Sequence, residues 1–314
     1  MRYWRAIAGI CLLWGLTACT EALNEDAPAL SQEVAVTFSA RQQAPSGLTV
    51  EVGTRLSTAP DTVGIVGFTL QEEDSLRDFL FGAGESSIYA RLKNAPFAGS
   101  FPGALSPCDT LLTPYFPIEE GSAITLYAYY PYRPSYTLDY STCYIPIDLE
   151  ADHAQADYCY TGKVYRSKAQ YIREGTFDLS FKHACARYML MIATPDSVLE
   201  QEQRLTLDSV LIGLDRSGKC MLNLKDGSIN TQEAQAGELY SITIPCPTLT
   251  IKGYADTLRT RFFLPPQIEA TRIVLYGKRG GNAFVKSQTV SPQLYLEQGV
   301  IAGGSYTIKC VYKP

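Results

Sequence analysis

Apolar positions along the chain recur mostly at every second residue. Val34, Val36 and Phe38 alternate with Ala35 and Thr37, and Leu48, Val50 and Val52 alternate with Thr49 and Glu51. Phe177, Leu179 and Phe181 alternate with Asp178 and Ser180. Successive side chains of an extended strand point to opposite faces, so this pattern predicts half-buried β-strands. Val63 to Leu70 reads as a glycine-containing apolar strand, and residues 124–130 (Ile-Thr-Leu-Tyr-Ala-Tyr-Tyr) read as another that stops at Pro131. Further strands are predicted near 187–193, 205–211, 239–244, 258–264, 272–276, 283–290 and 305–312. Turn-forming groups separate them: Asp215-Arg-Ser-Gly218, Lys225-Asp-Gly227, Gly280-Gly-Asn282 and Gly303-Gly304. Helical periodicity is scarce; residues 71–80 are predicted to hold at most a turn or two. Short strands at this spacing predict an all-β fold of antiparallel β-sandwiches rather than parallel βαβ units. Residues 132–170 lack a regular pattern, and the alternation restarts at Phe177. That break divides the chain into an N-terminal sandwich, 34–170, and a C-terminal one, 171–314, both of ordinary domain size.

The start of the chain follows another rule. Arg2 and Arg5 precede an apolar run from Ala6 to Gly15, which is followed by Leu16-Thr-Ala-Cys19. A basic start, a short apolar core and small residues before a cut predict a signal peptide over 1–18. The cysteine after the cut resembles the bacterial lipoprotein box, which implies lipidation of Cys19. The apolar run falls short of the ~20 residues a bilayer-spanning helix needs, and Glu21, Glu25 and Asp26 follow at once. Residues 19–33 are small, polar and acidic, and are predicted to be a flexible lipidated tether. Acidic residues after the lipid cysteine also resemble surface-export signals of Bacteroidetes lipoproteins.

Charge and composition narrow the function. Removal of 1–18 takes away Arg2 and Arg5 and moves the net charge from −5 to −7. Lys and Arg form no cluster, which disfavours nucleic-acid binding. Tyrosine is frequent, 21 residues against four Met and two Trp, and suits half-buried strands with ring inside and hydroxyl wet. Seven cysteines follow Cys19: Cys108, Cys143, Cys159, Cys185, Cys220, Cys246 and Cys310. An exported protein can oxidise such residues, but an odd number leaves at least one without an intramolecular partner. Cys310 alternates with Tyr306, Ile308 and Tyr312 and reads as a small buried hydrophobe. With no Cys-x-x-Cys and two histidines, His153 and His183, no metal site is expected. His183 reads as a hydrogen-bonded structural residue near the junction of the two halves. No nucleophile elbow, His-Glu-x-x-His or phosphate-cradling glycine loop occurs, so no enzyme and no cofactor are expected. Paired carboxylates for glycoside hydrolysis are weighed against the commoner solvated surface acids. Tyr127, Tyr129, Tyr130, Tyr132, Tyr136, Tyr140 and Tyr144 form the most function-like cluster, as core residues or as a platform for sugars or proteins.

Several segments resemble, in order, the fimbrillin-like proteins of Bacteroidetes, subunits of type V pili. They are the lipobox and acidic tether, the strand Val34–Phe38, Thr54-Arg55 and Val63–Phe68. Tyr115-Phe-Pro117, the strand ending Tyr127-Ala-Tyr-Tyr-Pro131, Asp157-Tyr158 and Phe181-Lys-His-Ala184 follow. Phe262-Phe-Leu-Pro265 and the closing Ala302-Gly-Gly-Ser-Tyr-Thr-Ile308 complete the set. The resemblance implies two tandem transthyretin-like β-sandwiches and assembly by strand exchange in cell adhesion. An N-terminal strand, here Val34, Val36 and Phe38, completes the first sandwich until a trypsin-like maturation protease cuts after an arginine. Arg55 and Arg41 are the candidates. A strand of another fimbrial subunit then enters the groove by β-augmentation; the corresponding donor here is the closing strand with Tyr306, Ile308 and Tyr312. The implied location is the outer membrane and cell surface, lipid-anchored at least as a precursor. The alternative is a non-polymerising surface lipoprotein that binds glycan through the tyrosine cluster; a lipoprotein hydrolase ranks below both.

Overall fold

The computed structural model describes residues 34–42, 61–70, 78–79, 92–109, 113–116, 121–134, 143–149, 157–233, 240–289 and 299–314. In the first half the strands are β1 (Val34–Ala35), β2 (Phe38–Gln42), β3 (Asp61–Leu70), β4 (Asp78–Phe79), β5 (Lys93–Gly99), β6 (Gly103–Pro107), β7 (Tyr115–Phe116), β8 (Ala123–Tyr130), β9 (Tyr144–Asp148), β10 (Cys159–Tyr160) and β11 (Val164–Ser167). The helix α1 (Lys168–Glu174) follows. Then come β12 (Phe177–His183), β13 (Ala186–Ala193), β14 (Leu205–Leu214), β15 (Arg216–Asn223), β16 (Ile229–Glu233), β17 (Tyr240–Ile251), β18 (Leu258–Leu264), β19 (Ala270–Arg279), β20 (Asn282–Thr289) and β21 (Ser305–Val311). The all-β reading holds. The expected strand at Leu48–Val52 lies outside the described residues. Of the segment 71–80, expected to hold at most a turn or two of helix, only Asp78–Phe79 is described, as a short strand on β3, and the remainder lies outside the described residues.

The N-terminal strands form one sheet in the order β11-β8-β10-β12-β2-β6-β5-β3-β4, and β3 also pairs with β8. That extra pairing closes the sheet into a ring: β8, β10, β12, β2, β6, β5, β3 and back to β8. Inside it lies one core, with Val36, Phe38, Val63, Ile65, Phe97, Ile124, Leu126, Phe177, Leu179 and Phe181 among its members. The other faces of β3 and β8 send Val66, Phe68, Tyr127 and Tyr129 into a second core with the C-terminal strands. Strands buried on both faces read as unbroken apolar runs, which is why Val63–Phe68 and Ile124–Tyr129 carry so few polar residues.

Three smaller sheets surround the second core: β18-β13-β21, β17-β14-β19-β20 and β16-β15-β9. Chain order and spatial order cross between the halves. β9, from the N-terminal half, pairs with β15. β12, where the alternation restarts, belongs to the N-terminal ring. Two pairings depart from the expected antiparallel pattern: β2 lies parallel to β12 and β21 parallel to β13. Parallel neighbours need long crossovers, and both pairs join strands far apart in the chain.

The segment 132–170, expected to be irregular, supplies β9, β10, β11 and the start of α1. The helix has clear local causes. Ser167 caps it by accepting the Gln170 N–H, the Gln170 side chain accepts the Ser167 N–H, and Gly175 ends it at φ 80°. No helix among the described residues is long and apolar enough to cross a membrane.

Candidate functional site

The site is the slot that holds the N-terminal strand. β2 lies between β6 and β12, paired on both edges. Phe38 stands opposite Phe177 on β12 and Leu105 on β6; Ala40 stands opposite Leu179 and Gly103. Val34, Val36, Phe38 and Ala40 are all buried. The Phe38 ring meets Phe97 edge-on at 5.0 Å and Phe177 at 6.0 Å. Burying a side chain of this size contributes about 2–3 kcal/mol, so Val36 and Phe38 are the main apolar anchors of the strand.

α1 adds a polar clasp. Tyr171 is buried, stacks on Phe177 at 5.3 Å and lies 5.1 Å from Phe116. Its hydroxyl accepts the Thr37 backbone N–H at 2.8 Å and donates to the Ala35 carbonyl at 3.1 Å. The Thr37 carbonyl accepts from the Phe177 N–H at 3.0 Å, and the Val36 N–H donates to Pro114 at 2.8 Å. The Ser39 hydroxyl donates to the Asp178 carboxylate. The backbone of 34–42 is thus held by the ring, by the loop before β7 and by the helix. Tyr171 carried no sequence signal, because a seven-residue helix is too short to show a period. Its capping box and Gly175 were the readable cues.

The other residues singled out from sequence fall as follows. Cys19 and Arg55 lie outside the described residues. Arg41 is in β2, opposite Ser180, with its side chain exposed beside Lys163, Arg166, Asp178 and Lys182 in a shallow polar groove. Tyr306 and Ile308 are half-buried on β21, and Tyr312 is buried with its hydroxyl on the Gln203 carbonyl. β21 is the outer strand of its sheet. Cys310 is buried, and desolvation pushes its thiol up to about 11. All seven cysteines are free thiols, and Cys108 is the exposed one.

Tyr127 and Tyr129 are core residues. The Tyr129 hydroxyl donates to Asn94 at 2.8 Å and accepts the Arg133 N–H at 3.1 Å, and burial pushes it up to about 12. Tyr144 is exposed, and Tyr136 and Tyr140 lie outside the described residues. His183 is buried, with Nδ1 2.7 Å from an Asp157 carboxylate oxygen.

The chain is thus a closed β-ring that includes its own strand β2, joined through the shared strands β3 and β8 to a second β-core. The chain belongs to the fimbrillin-like family, whose sequence model matches residues 54–314. It is accordingly a fimbrial or adhesion subunit of the cell surface, a structural and non-enzymatic class. The solved structures that share the fold include two described as candidate cell adhesion proteins. That from Bacteroides uniformis is 16% identical, covering 88% of this chain and 92% of its own, with a TM-score of 0.57. That from Bacteroides ovatus is 15% identical, covering 89% and 92%, with a TM-score of 0.53. No curated protein sequence matches the chain.

Proposed function

We propose that this chain is a type V fimbrial subunit, exported as a lipoprotein on Cys19 and assembled by protease-triggered strand exchange in cell adhesion. The observation that carries the reading is the placement of β2. It is a member of a closed ring, yet its only covalent tie to the rest of the ring is the segment 43–60 that contains Arg55. The ring and the second core stand for the two transthyretin-like units. A trypsin-like cut after Arg55 severs β1 and β2 from everything downstream. Arg41 is the poorer candidate: it is paired within β2, and a protease needs an extended, unpaired backbone. After loss of the strand, β6 and β12 present unpaired N–H and C=O groups over the pockets of Phe38 and Val36. An incoming strand with alternate apolar residues satisfies both. Within this scheme β21, an outer strand with Tyr306, Ile308 and Tyr312, is the donor. The same cut separates the subunit from its lipid, so a cleaved chain leaves the outer membrane surface and an uncleaved one stays anchored.

The glycan-binding alternative loses support, because Tyr127 and Tyr129 have their rings in the core and the Tyr129 hydroxyl already bonded. The test is low-dose trypsin on the purified chain, followed by N-terminal sequencing and size-exclusion chromatography. A single early cut at Arg55 followed by higher oligomers is expected. A resistant chain, or a cut chain that keeps residues 34–42 and stays monomeric, would sink strand exchange.

A further inference from the structure

Asp157, Cys159 and His183 converge where β10 meets the end of β12. Cys159 stands directly opposite His183 in the β10–β12 register. All three are buried; Cys159 is fully inaccessible, and Asp157 and His183 are each 8% exposed. Cys159 belongs to the ring core, while its neighbour Tyr158 belongs to the second core. The cluster therefore sits on the seam between them.

Its geometry excludes one chemistry and fits another. His183 Nδ1 lies 2.7 Å from Asp157 Oδ1 and 3.7 Å from Cys159 Sγ. A nucleophilic relay places thiol and carboxylate on opposite ring nitrogens. Here both face the same one, so the imidazole cannot take a proton from the thiol while donating that nitrogen's proton to the carboxylate. One nitrogen, one sulfur and one oxygen, all within 4.8 Å of one another, instead surround a common point. In tetrahedral zinc the Zn–S bond is ~2.3 Å and the Zn–N and Zn–O bonds ~2.0–2.1 Å, which puts S and N ~3.6 Å apart and N and O ~3.3 Å apart. The observed S···N separation already matches. The N···O contact is a hydrogen bond that opens by roughly 0.6 Å to admit the ion.

We propose that Asp157, Cys159 and His183 form a binding site for a borderline divalent metal, zinc foremost, that pins β10 to β12 at the seam of the two cores. Thiolate and imidazole select transition metals over calcium or magnesium. Binding releases the thiol proton to solvent, and the neutral imidazole carries its own proton on Nε2, which leaves the Nδ1 lone pair for the ion. Because the ligands are buried, the ion enters as the chain folds.

The test uses the full chain, refolded with and without zinc or cobalt and then desalted. One metal per chain is expected by elemental analysis. The cobalt form is expected to show a thiolate-to-metal charge-transfer band in the near ultraviolet. Cys159→Ser is expected to abolish that band, and His183→Gln to weaken zinc retention at least ~tenfold. Wild-type chain that folds but retains no metal overturns the proposal, as does cobalt bound without a thiolate band. A folded Cys159→Ser variant with an unchanged cobalt spectrum overturns it too. The wild-type measurement decides even if a variant fails to fold.

Discussion

The hydroxyl of Tyr171 accepts the backbone N–H of Thr37 at 2.8 Å, across 134 positions of sequence. The same oxygen donates to Ala35, so a single phenol on α1 satisfies two backbone groups of the N-terminal strand. Tyr171→Phe keeps the stack on Phe177 and removes both bonds. A buried hydrogen bond contributes about 1 kcal/mol, and the partners left unpaired cost more. The substitution is expected to loosen residues 34–42 by about 1–3 kcal/mol. Hydrogen exchange at the Thr37 amide should accelerate while that of β14 and β19 stays unchanged, and trypsin should cut sooner.

Phe38 is the largest plug in the slot. Phe38→Ala removes the edge-on contact with Phe97 and leaves a cavity in the ring core. A loss of about 3–5 kcal/mol is expected, read as a lower urea midpoint. A variant as stable as the wild type would show that β2 does not complete this core.

Gly227 closes the turn before β16 at φ 79°, and a Cβ there would lie 2.0–2.3 Å from the ring and hydroxyl of Tyr160. The Tyr160 hydroxyl donates to the Asp226 carbonyl at 3.0 Å, so the turn docks on β10. Gly227→Ala combines a strained left-handed conformation, about 1–3 kcal/mol, with a clash. The melting temperature should fall by more than for Ala at Gly121, which has open space around its Cα.

Thiol chemistry separates the cysteines. Burial pushes Cys220 from 9.0 up to about 12 and Cys310 up to about 11. Thiolate is the reactive form, so at pH 8 a thiol reagent should label Cys108 rapidly and the six buried cysteines at the rate of opening. The same shifts set an alkaline limit. A group whose folded value is raised favours the fold while neutral. Its contribution is complete below its ordinary value and vanishes as pH climbs through the folded value. With Tyr129 also raised from 10.0 to about 12, the melting temperature should hold up to about pH 9 and decline between 9 and 12.

On the lipoprotein reading proposed above, Cys19→Ser removes the lipid acceptor. The precursor should lose incorporation of labelled palmitate and move from the membrane fraction to the soluble one. Unchanged fractionation would rule out Cys19 as the anchor.

Much of this architecture was legible because one period dominates. The alternation at Val34–Phe38 and at Phe177–Phe181 marked both partners of the slot, though nothing in either segment says that they lie side by side and parallel. Pairing partners are set by closure of the ring, which no local pattern encodes. β9 escaped notice because Pro146 interrupts it, and β10 because two residues cannot show a period. Asp157, Cys159 and His183 are separated along the chain in a way no metal motif matches; only the β10–β12 register brings them together. The division at 170 followed composition, whereas β9 and β12 each cross to the other half in space.

The closed ring has a mechanical consequence. A strand gripped along both edges and pulled along its own axis loads all its cross-strand bonds at once, in shear. A strand at the margin of a sheet yields them one after another, like a zipper. An incoming strand that took the place of β2 would inherit the stronger arrangement. A filament joined this way would resist flow by the slowness of slipping one strand out of its slot, not by the equilibrium affinity of one subunit for the next.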